Sequence, residues 1–397
     1  MVQPKFDVDS LVRPNIKTLK PYRCARDDYS EGVLLDANEN AFGPAFVLDD
    51  EVEYHRYPDP RHNTLKQRIV EIRGVPSVDH IFLGVGSDEV IDILTRVFCV
   101  PGKDKVLVTP PTYGMYSVTA AINDVSLVKV PLIVGDDASP SLFQLDVPAI
   151  LKTLGEADGE IKLVYLCSPG NPTGTLLTRE SITAILEAPE SQRSIIVVDE
   201  AYIDFAEPWN SPNVTEMSSA PLVAQYPNLV VSQTLSKSYG LAGIRLGIAM
   251  ANPSIITYLN NTKAPYNVST TTANIAHKAL SASGHQAMIA SVKQIRAERD
   301  SIIQALTDIA NQYGTCRIVG ANDGNFVMFR VLNKATGQAD SKLAKVICTE
   351  LAVTHKVVVR YRGDDYGCEG CIRVTIGTAE ENAKLIGLFQ LMLPQNK

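Results

Sequence analysis

No apolar run in the chain reaches the roughly 18 residues needed to span a bilayer. The opening stretch, MVQPKFDVDSLVRP, lacks the apolar core of a secretory signal. Both absences point to a cytoplasmic protein. Basic charge is not in excess either: 37 Lys plus Arg stand against 44 Asp plus Glu. A net charge of -7 argues against general attraction to nucleic acid or an anionic membrane. There is no disulfide framework. The 7 cysteines, at 24, 99, 167, 316, 348, 368 and 371, are odd in number and scattered, which suits a reducing compartment. The lone CxxC, Cys368 and Cys371, has no second CxxC and no nearby His pair, so it reads as two bystander thiols rather than a zinc or redox site. None of the 6 histidines has metal-ligand spacing with another, and no metal is expected. Internal repeats and low-complexity tracts are also missing, which sets solenoids and strings of small modules aside.

What is present is a 397-residue chain with 45% hydrophobic and 20% charged residues, an ordinary globular balance. Its length exceeds what one core usually organises. Short apolar, β-branched runs at Lys105 to Thr109, Val125 to Val130, Lys162 to Cys167, Ser194 to Asp199, Leu229 to Ser232 and Leu246 to Met250 read as buried strands. Helical stretches separate them, such as Ser87 to Phe98, with Val90, Ile91, Leu94 and Phe98 in one stripe, and Arg179 to Glu187. This alternation predicts a mainly parallel sheet covered on both faces. After Pro265 the pattern turns to long helices, Thr271 to Ser281 and Gln286 to Tyr313. An α+β set follows, with strands at Asn325 to Val331, Val357 to Arg360 and Ile372 to Ile376 and helices at Ser341 to Val353 and Glu380 to Met392. The expected division is residues 1–54 as an N-terminal arm and part of a small domain, 55–265 as a large α/β domain, and 266–397 as the small C-terminal α+β domain.

Five segments carry candidate chemistry. In SQTLSKSYGLAGIRLG, Lys237 sits among Thr234, Ser236 and Arg245. An amine can bond an aldehyde cofactor, and hydroxyls with a guanidinium suit a phosphate tail. A solvated loop lysine is the plain alternative. SIIVVDEAYIDF ends a strand on Asp199, with Tyr202 three residues on; the carboxylate could pair with a protonated ring nitrogen or cap the next turn. KLVYLCSPGNPTG sets Asn171 in a turn after a strand, as a ring-oxygen partner or a turn former. IFLGVGSDEVID puts Ser87 and Asp88 at a strand-to-helix junction, an anion site or a simple cap. TPPTYGMY adds Tyr113, to stack on a flat cofactor or to pack on the core. Open α/β sheets bind ligands beyond the carboxyl ends of their strands, where these segments fall.

Taken together and in order, SPGNPTG, VVDEAY, TLSKSYGLAGIRLG and the late RVTIG resemble the fold-type I pyridoxal-phosphate aminotransferases, over nearly the whole chain. The resemblance implies an α/β fold: a large domain with a mainly parallel seven-stranded sheet, plus a smaller α+β domain. It implies pyridoxal 5'-phosphate as cofactor, Lys237 as the Schiff-base lysine and Asp199 as partner of the pyridine nitrogen. Tyr202 and Asn171 would bond the ring oxygen and Tyr113 would stack on the ring. Ser87, Asp88, Thr234, Ser236 and Arg245 would surround its phosphate. LKPYRCAR, LLDANENAFGP, RYPDP, GVGSDE, PTYGMY, KAPYNVST and VVVRYR are similar to the histidinol-phosphate aminotransferase family. That family often has NENP where this chain has NENA, though Asn38 and Asn40 are kept.

This narrower likeness implies amino transfer between histidinol phosphate and 2-oxoglutarate in histidine biosynthesis. One pocket must then accept a phosphate ester and the carboxylates of glutamate, a task suited to arginine. Arg373 in RVTIG and Arg360, thirteen residues earlier, would form the clamp, with Tyr22 and Asn38 from the arm. For Arg360 the alternative is a surface ion pair with Asp364 or Asp365. Tyr57 resembles the residue that reaches the neighbouring subunit's cofactor phosphate, which implies a homodimer. The competing readings are an aminotransferase for aromatic or other amino acids, a threonine-phosphate decarboxylase, or a non-catalytic ligand-sensing descendant. The last is disfavoured because Lys237, Asp199 and Arg373 are all present.

Overall fold

The computed structural model describes residues 5–20, 37, 40, 52–137, 139, 142–206 and 217–393. Tyr22 and Asn38 lie outside the described residues. Seven strands form the larger sheet: β1 Ile81–Val85, β2 Lys105–Val108, β3 Ser126–Lys129, β4 Ile161–Cys167, β5 Ile195–Asp199, β6 Leu229–Thr234 and β7 Leu246–Ala251. Their order is β1-β7-β6-β5-β4-β2-β3. The five strands from β3 to β6 pair in parallel, and β7 runs antiparallel to both β6 and β1. The central strands β5, β6 and β7 are buried along their whole length. Helices cover both faces, so these strands read as continuous apolar runs without alternation.

The helix Gly86–Phe98 buries the expected stripe of Val90, Ile91, Leu94 and Phe98 against one face of this sheet. The smaller sheet is antiparallel: β8 Cys316–Val319, β9 Phe326–Val331, β10 Arg360–Tyr361 and β11 Cys371–Thr375, in the order β10-β11-β9-β8. Helices Ser341–Val353 and Ala379–Met392 pack on it, along with the second half of the 32-residue helix Ala282–Tyr313.

One expectation needs correction. The strand expected over Val357 to Arg360 is paired only at Arg360–Tyr361. This is an edge strand, and the alternating Val358 faces solvent rather than a core. Within the expected arm, Val8, Leu11, Val12 and Ile16 join the core cluster of Phe98 and Leu259 beneath the large sheet. The helix Thr270–Ala279 inserts Ala273 and Ala276 into the large-sheet core. In both a short apolar face follows the nearest available core rather than its place in the chain. Among the described residues no helix is long and apolar enough to cross a membrane, no group of three or more side chains could hold a metal ion, and the six cysteines are free.

Candidate active site

The reversal of β7 sets the geometry of the site. Since β1 runs antiparallel to β7 and β7 antiparallel to β6, strand β1 ends on the same sheet edge as β4, β5 and β6, and β7 begins there. That edge therefore receives Ser87 and Asp88 after β1, Asn171 after β4, Asp199 at the end of β5, Lys237 after β6 and Arg245 just before β7. All of the residues expected around the cofactor except Tyr57 line one cavity at this edge, with Cys167, Ala201 and Ala242 completing its wall.

At its floor Asp199 is buried and accepts hydrogen bonds from Tyr116 Oη at 2.7 Å and Ala201 N–H at 3.2 Å. No cation forms an ion pair with it among the described residues, and burial raises its carboxyl above the usual carboxylate range. Lys237 Nζ has no hydrogen bond or ion pair among the described residues and sits 5.6 Å from the centre of the Tyr202 ring. Burial first, then the positive charges of Arg373 and Arg245, hold the lysine below its ordinary value. Tyr202 is itself buried, packs edge-on against Phe326, and its hydroxyl is pushed up to about 12 by desolvation.

The loop carrying Lys237 is fixed from behind. Ser238 Oγ donates to Asp204 at 2.5 Å, and Asp204 takes both guanidinium nitrogens of Arg73 at 2.8 and 3.1 Å in a buried pair. Burial opposes ionisation of Asp204, but Arg73 outweighs it and holds the carboxyl below its usual range. Next in sequence, Tyr239 Oη bonds His285 Nδ1 at 2.8 Å.

Across the cavity, the helix Gly86–Phe98 opens without a side-chain cap; Gly86 N–H donates to Arg245 O at 3.0 Å, and the next N–H groups of the first turn have no intrahelical acceptor. Gly86 has φ +73°, and a β-carbon there would run into the Arg245 guanidinium, so glycine makes this close approach possible. Arg245 reaches Asp88 at 3.3 Å. Both side chains are half exposed, so the pair orients more than it stabilises. Thr234 Oγ1 and Ser236 Oγ lie 2.8 Å apart, and Tyr113 Oη donates to Asp88 at 3.2 Å.

This donor set fits pyridoxal phosphate. The uncompensated buried carboxylate of Asp199 suits a protonated ring nitrogen, and the free Lys237 amine suits an aldehyde carbon. The uncapped helix start with three hydroxyls and Arg245 suits a phosphate.

On the small-domain side, Arg373 lies in β11 with its guanidinium 5.1 Å from the Phe326 ring. Arg373 Nη1 donates to Asn171 Oδ1. Only oxygen can accept from a guanidinium, so the Asn171 amide nitrogen is left to donate. Arg360 stands directly opposite Arg373 in the β10–β11 register. The surface ion pair considered for it is not formed: Asp364 engages Lys345, and Asp365 faces Arg362. Tyr57 does not join the cavity; it is 52% exposed and stacks on Tyr266 with ring centres 4.6 Å apart.

Two residues escaped the sequence reading. Tyr116, the last residue of PTYGMY, bonds Asp199. Its three-residue offset from Tyr113 at a helix start was the available signal. Arg362 Nη2 also reaches Asn171 Oδ1, at 3.3 Å. It shares strand parity with Arg360, which would have placed both on one face.

Comparison with known proteins gives the same fold and a narrower kinship. Residues 30–389 match the family model for aminotransferase class I and II. The histidinol-phosphate aminotransferase of Candida maltosa is 49% identical over 402 aligned residues, covering 98% of each chain. That of Saccharomyces cerevisiae is 45% identical over 97% of each. The crystal structure of the Sinorhizobium meliloti histidinol-phosphate aminotransferase in complex with pyridoxal-5'-phosphate superposes with a TM-score of 0.70 at 24% identity, covering 90% of this chain and 89% of that one. With a full-length match to the family and close kinship at nearly half identity, the chain belongs to the pyridoxal-phosphate-dependent class I and II aminotransferases, within the histidinol-phosphate aminotransferase family.

Proposed function

We propose that the protein transfers an amino group from L-histidinol phosphate to 2-oxoglutarate, giving imidazole-acetol phosphate and L-glutamate, a step of histidine biosynthesis. The observation that carries this reading is the hydrogen bond from Arg373 to Asn171, which supports an oxyanion-binding role for Arg373 beside the cavity that Asn171 and Lys237 line. Near-half identity to histidinol-phosphate aminotransferases over almost the full chain supports the choice of substrate.

When bound, pyridoxal phosphate supplies an electron sink and carries the amino group between the two substrates. The chain's own groups do the rest. Lys237 Nζ, whose pKa is lowered by burial and by Arg373 and Arg245, takes the proton from the substrate's α-carbon and holds it for return. Asp199, set by Tyr116 and the Ala201 N–H, holds a proton on the ring nitrogen. Asn171 and Tyr202 donate to the ring oxygen and Tyr113 covers the ring. Ser87, Asp88, Thr234, Ser236, the helix start and Arg245 anchor the phosphate. Arg373 and Arg360 bind the substrate oxyanion, with Tyr22 and Asn38 of the arm.

The chain acts as a homodimer in which Tyr57, outside its own cavity, reaches the partner's cofactor phosphate. Its free thiols suit the cytoplasm.

An amino-transfer assay with purified protein, histidinol phosphate and 2-oxoglutarate tests the reaction, with phenylalanine and threonine phosphate in parallel. Preference for histidinol phosphate is expected. Faster turnover of phenylalanine, or carbon dioxide release from threonine phosphate, would replace this reading with the corresponding relative. A fully active monomer in sedimentation would overturn the shared site.

A further inference from the structure

We propose that Arg362 is a third oxyanion-binding residue of this site, and the one that makes it prefer a phosphate ester to a carboxylate. The inference deepens the aminotransferase reading and rests on it. Beyond the end of β10, Arg362 N–H donates to Cys371 O at 2.8 Å and so continues the ladder with β11. Two residues from Arg360, its side chain falls on the same face, beside Arg373. There Arg362 and Arg373 share one neutral acceptor, Asn171 Oδ1. The Nε atoms of both arginines are buried without a hydrogen-bond partner.

Two half-buried guanidinium groups on a single amide oxygen leave their buried Nε donors unused, a costly arrangement unless a ligand completes it. The charge count agrees. Among the described residues one carboxylate faces Arg360, Arg362 and Arg373: Asp365, whose Oδ2 lies 3.3 Å from Arg362 Nε without hydrogen-bond geometry. Asp364 is taken by Lys345 at 3.2 Å. The cluster therefore has two positive charges in surplus. A phosphate monoester dianion matches that surplus, and a carboxylate supplies half of it. Burial lowers the pKa of Arg373, and repulsion from Arg362 lowers it further, a strain that an entering dianion relieves. Because Asn171 also lines the cavity of Lys237, occupancy of the arginine cluster is felt directly at the reacting end of the substrate.

The test compares the cofactor-loaded wild-type enzyme with Arg362→Gln, Arg362→Lys and Arg373→Gln, measuring kcat/KM separately for histidinol phosphate and for glutamate, with inhibition by inorganic phosphate. Arg362→Gln should lower kcat/KM for histidinol phosphate about 10- to 100-fold more than for glutamate, the cost of a charge-assisted hydrogen bond. The loss should appear mainly in KM, and inorganic phosphate should inhibit more weakly by a similar factor. Arg362→Lys, which keeps the charge and loses the planar fork, should fall between. An equal loss for both substrates, or no loss for either while Arg373→Gln impairs both, overturns the role of Arg362 and leaves the aminotransferase reading standing. If Arg373→Gln also turns over both substrates normally, the arginine site itself is wrong. Should Arg362→Gln fail to fold, Arg362→Lys decides: an unchanged substrate ratio with unchanged phosphate inhibition overturns the proposal.

Discussion

The two walls of the cavity are built on opposite terms. On the large-sheet side the groups that set the chemistry are tied: Asp199 to Tyr116 and a backbone N–H, and the Lys237 loop through Ser238 to the buried Asp204–Arg73 pair. On the small-sheet side, arginines crowd around one amide oxygen and leave buried nitrogens unmatched. The first wall is preorganised in its hydrogen bonds, whereas the second is completed by what binds. Proton transfer demands fixed geometry, while a pocket that must alternate between a phosphate and a carboxylate gains from leaving its charge to be neutralised by the ligand.

Breaking the tied wall should cost most. Lys237→Ala removes the general base and should lower turnover by on the order of 10⁴-fold with the fold retained. Borohydride reduction of the wild type followed by peptide mapping should put the pyridoxyl label on Lys237, and a label elsewhere would refute its role. Asp199→Asn should retain some cofactor yet lose roughly 10² to 10³ in kcat, as for removal of one preorganised electrostatic partner. Wild-type kinetics there would contradict the ring-nitrogen role.

Asp204→Asn strands the buried Arg73 and should cost about 3 to 5 kcal/mol in urea unfolding. Since Arg73 holds the Asp204 carboxyl below its ordinary 3.8, the pair's contribution is complete above that pH and fades as pH falls through the lower folded-state value. A variant as stable as wild type at neutral pH would show that the pair does not anchor the loop. The smallest effect sharpens the contrast between the walls: in cofactor-free protein, reductive methylation of Lys237 should titrate below 10.5, the ordinary lysine value. Arg373→Gln should move that titration upward, because one of the charges holding it down is gone.

How much of this was readable beforehand follows the same division. The strand ends that deliver Asp199, Asn171 and Lys237 were legible because parallel strands buried on both faces leave continuous apolar runs that stop abruptly at polar residues. Lys237, Arg245 and the hydroxyls came with a motif of fixed spacing. Tyr116 was hidden because an aromatic at a helix start has the same local pattern whether it serves the core or a carboxylate. Arg362 was hidden for a different reason. Strand β10 has only two paired residues, too few for period-two alternation to show that the strand's pairing reaches Arg362. The packing of Val8, Leu11 and Ile16 on the large sheet depends on long-range contacts, which no local pattern encodes.

The antiparallel run of β7 has one more consequence. Had that strand been parallel to β6, a crossover helix would have had to intervene between them. Instead a single short span leads from Lys237 to Arg245 without leaving the sheet edge. In the proposed roles of Lys237 and Arg245, the aldehyde end and the phosphate end of one small molecule would thus be gripped by the same stretch of backbone, like two fingers of one hand. A length change within that span would alter the reach between both grips at once, so insertions or deletions there should be far less tolerated than in the connections on the opposite edge.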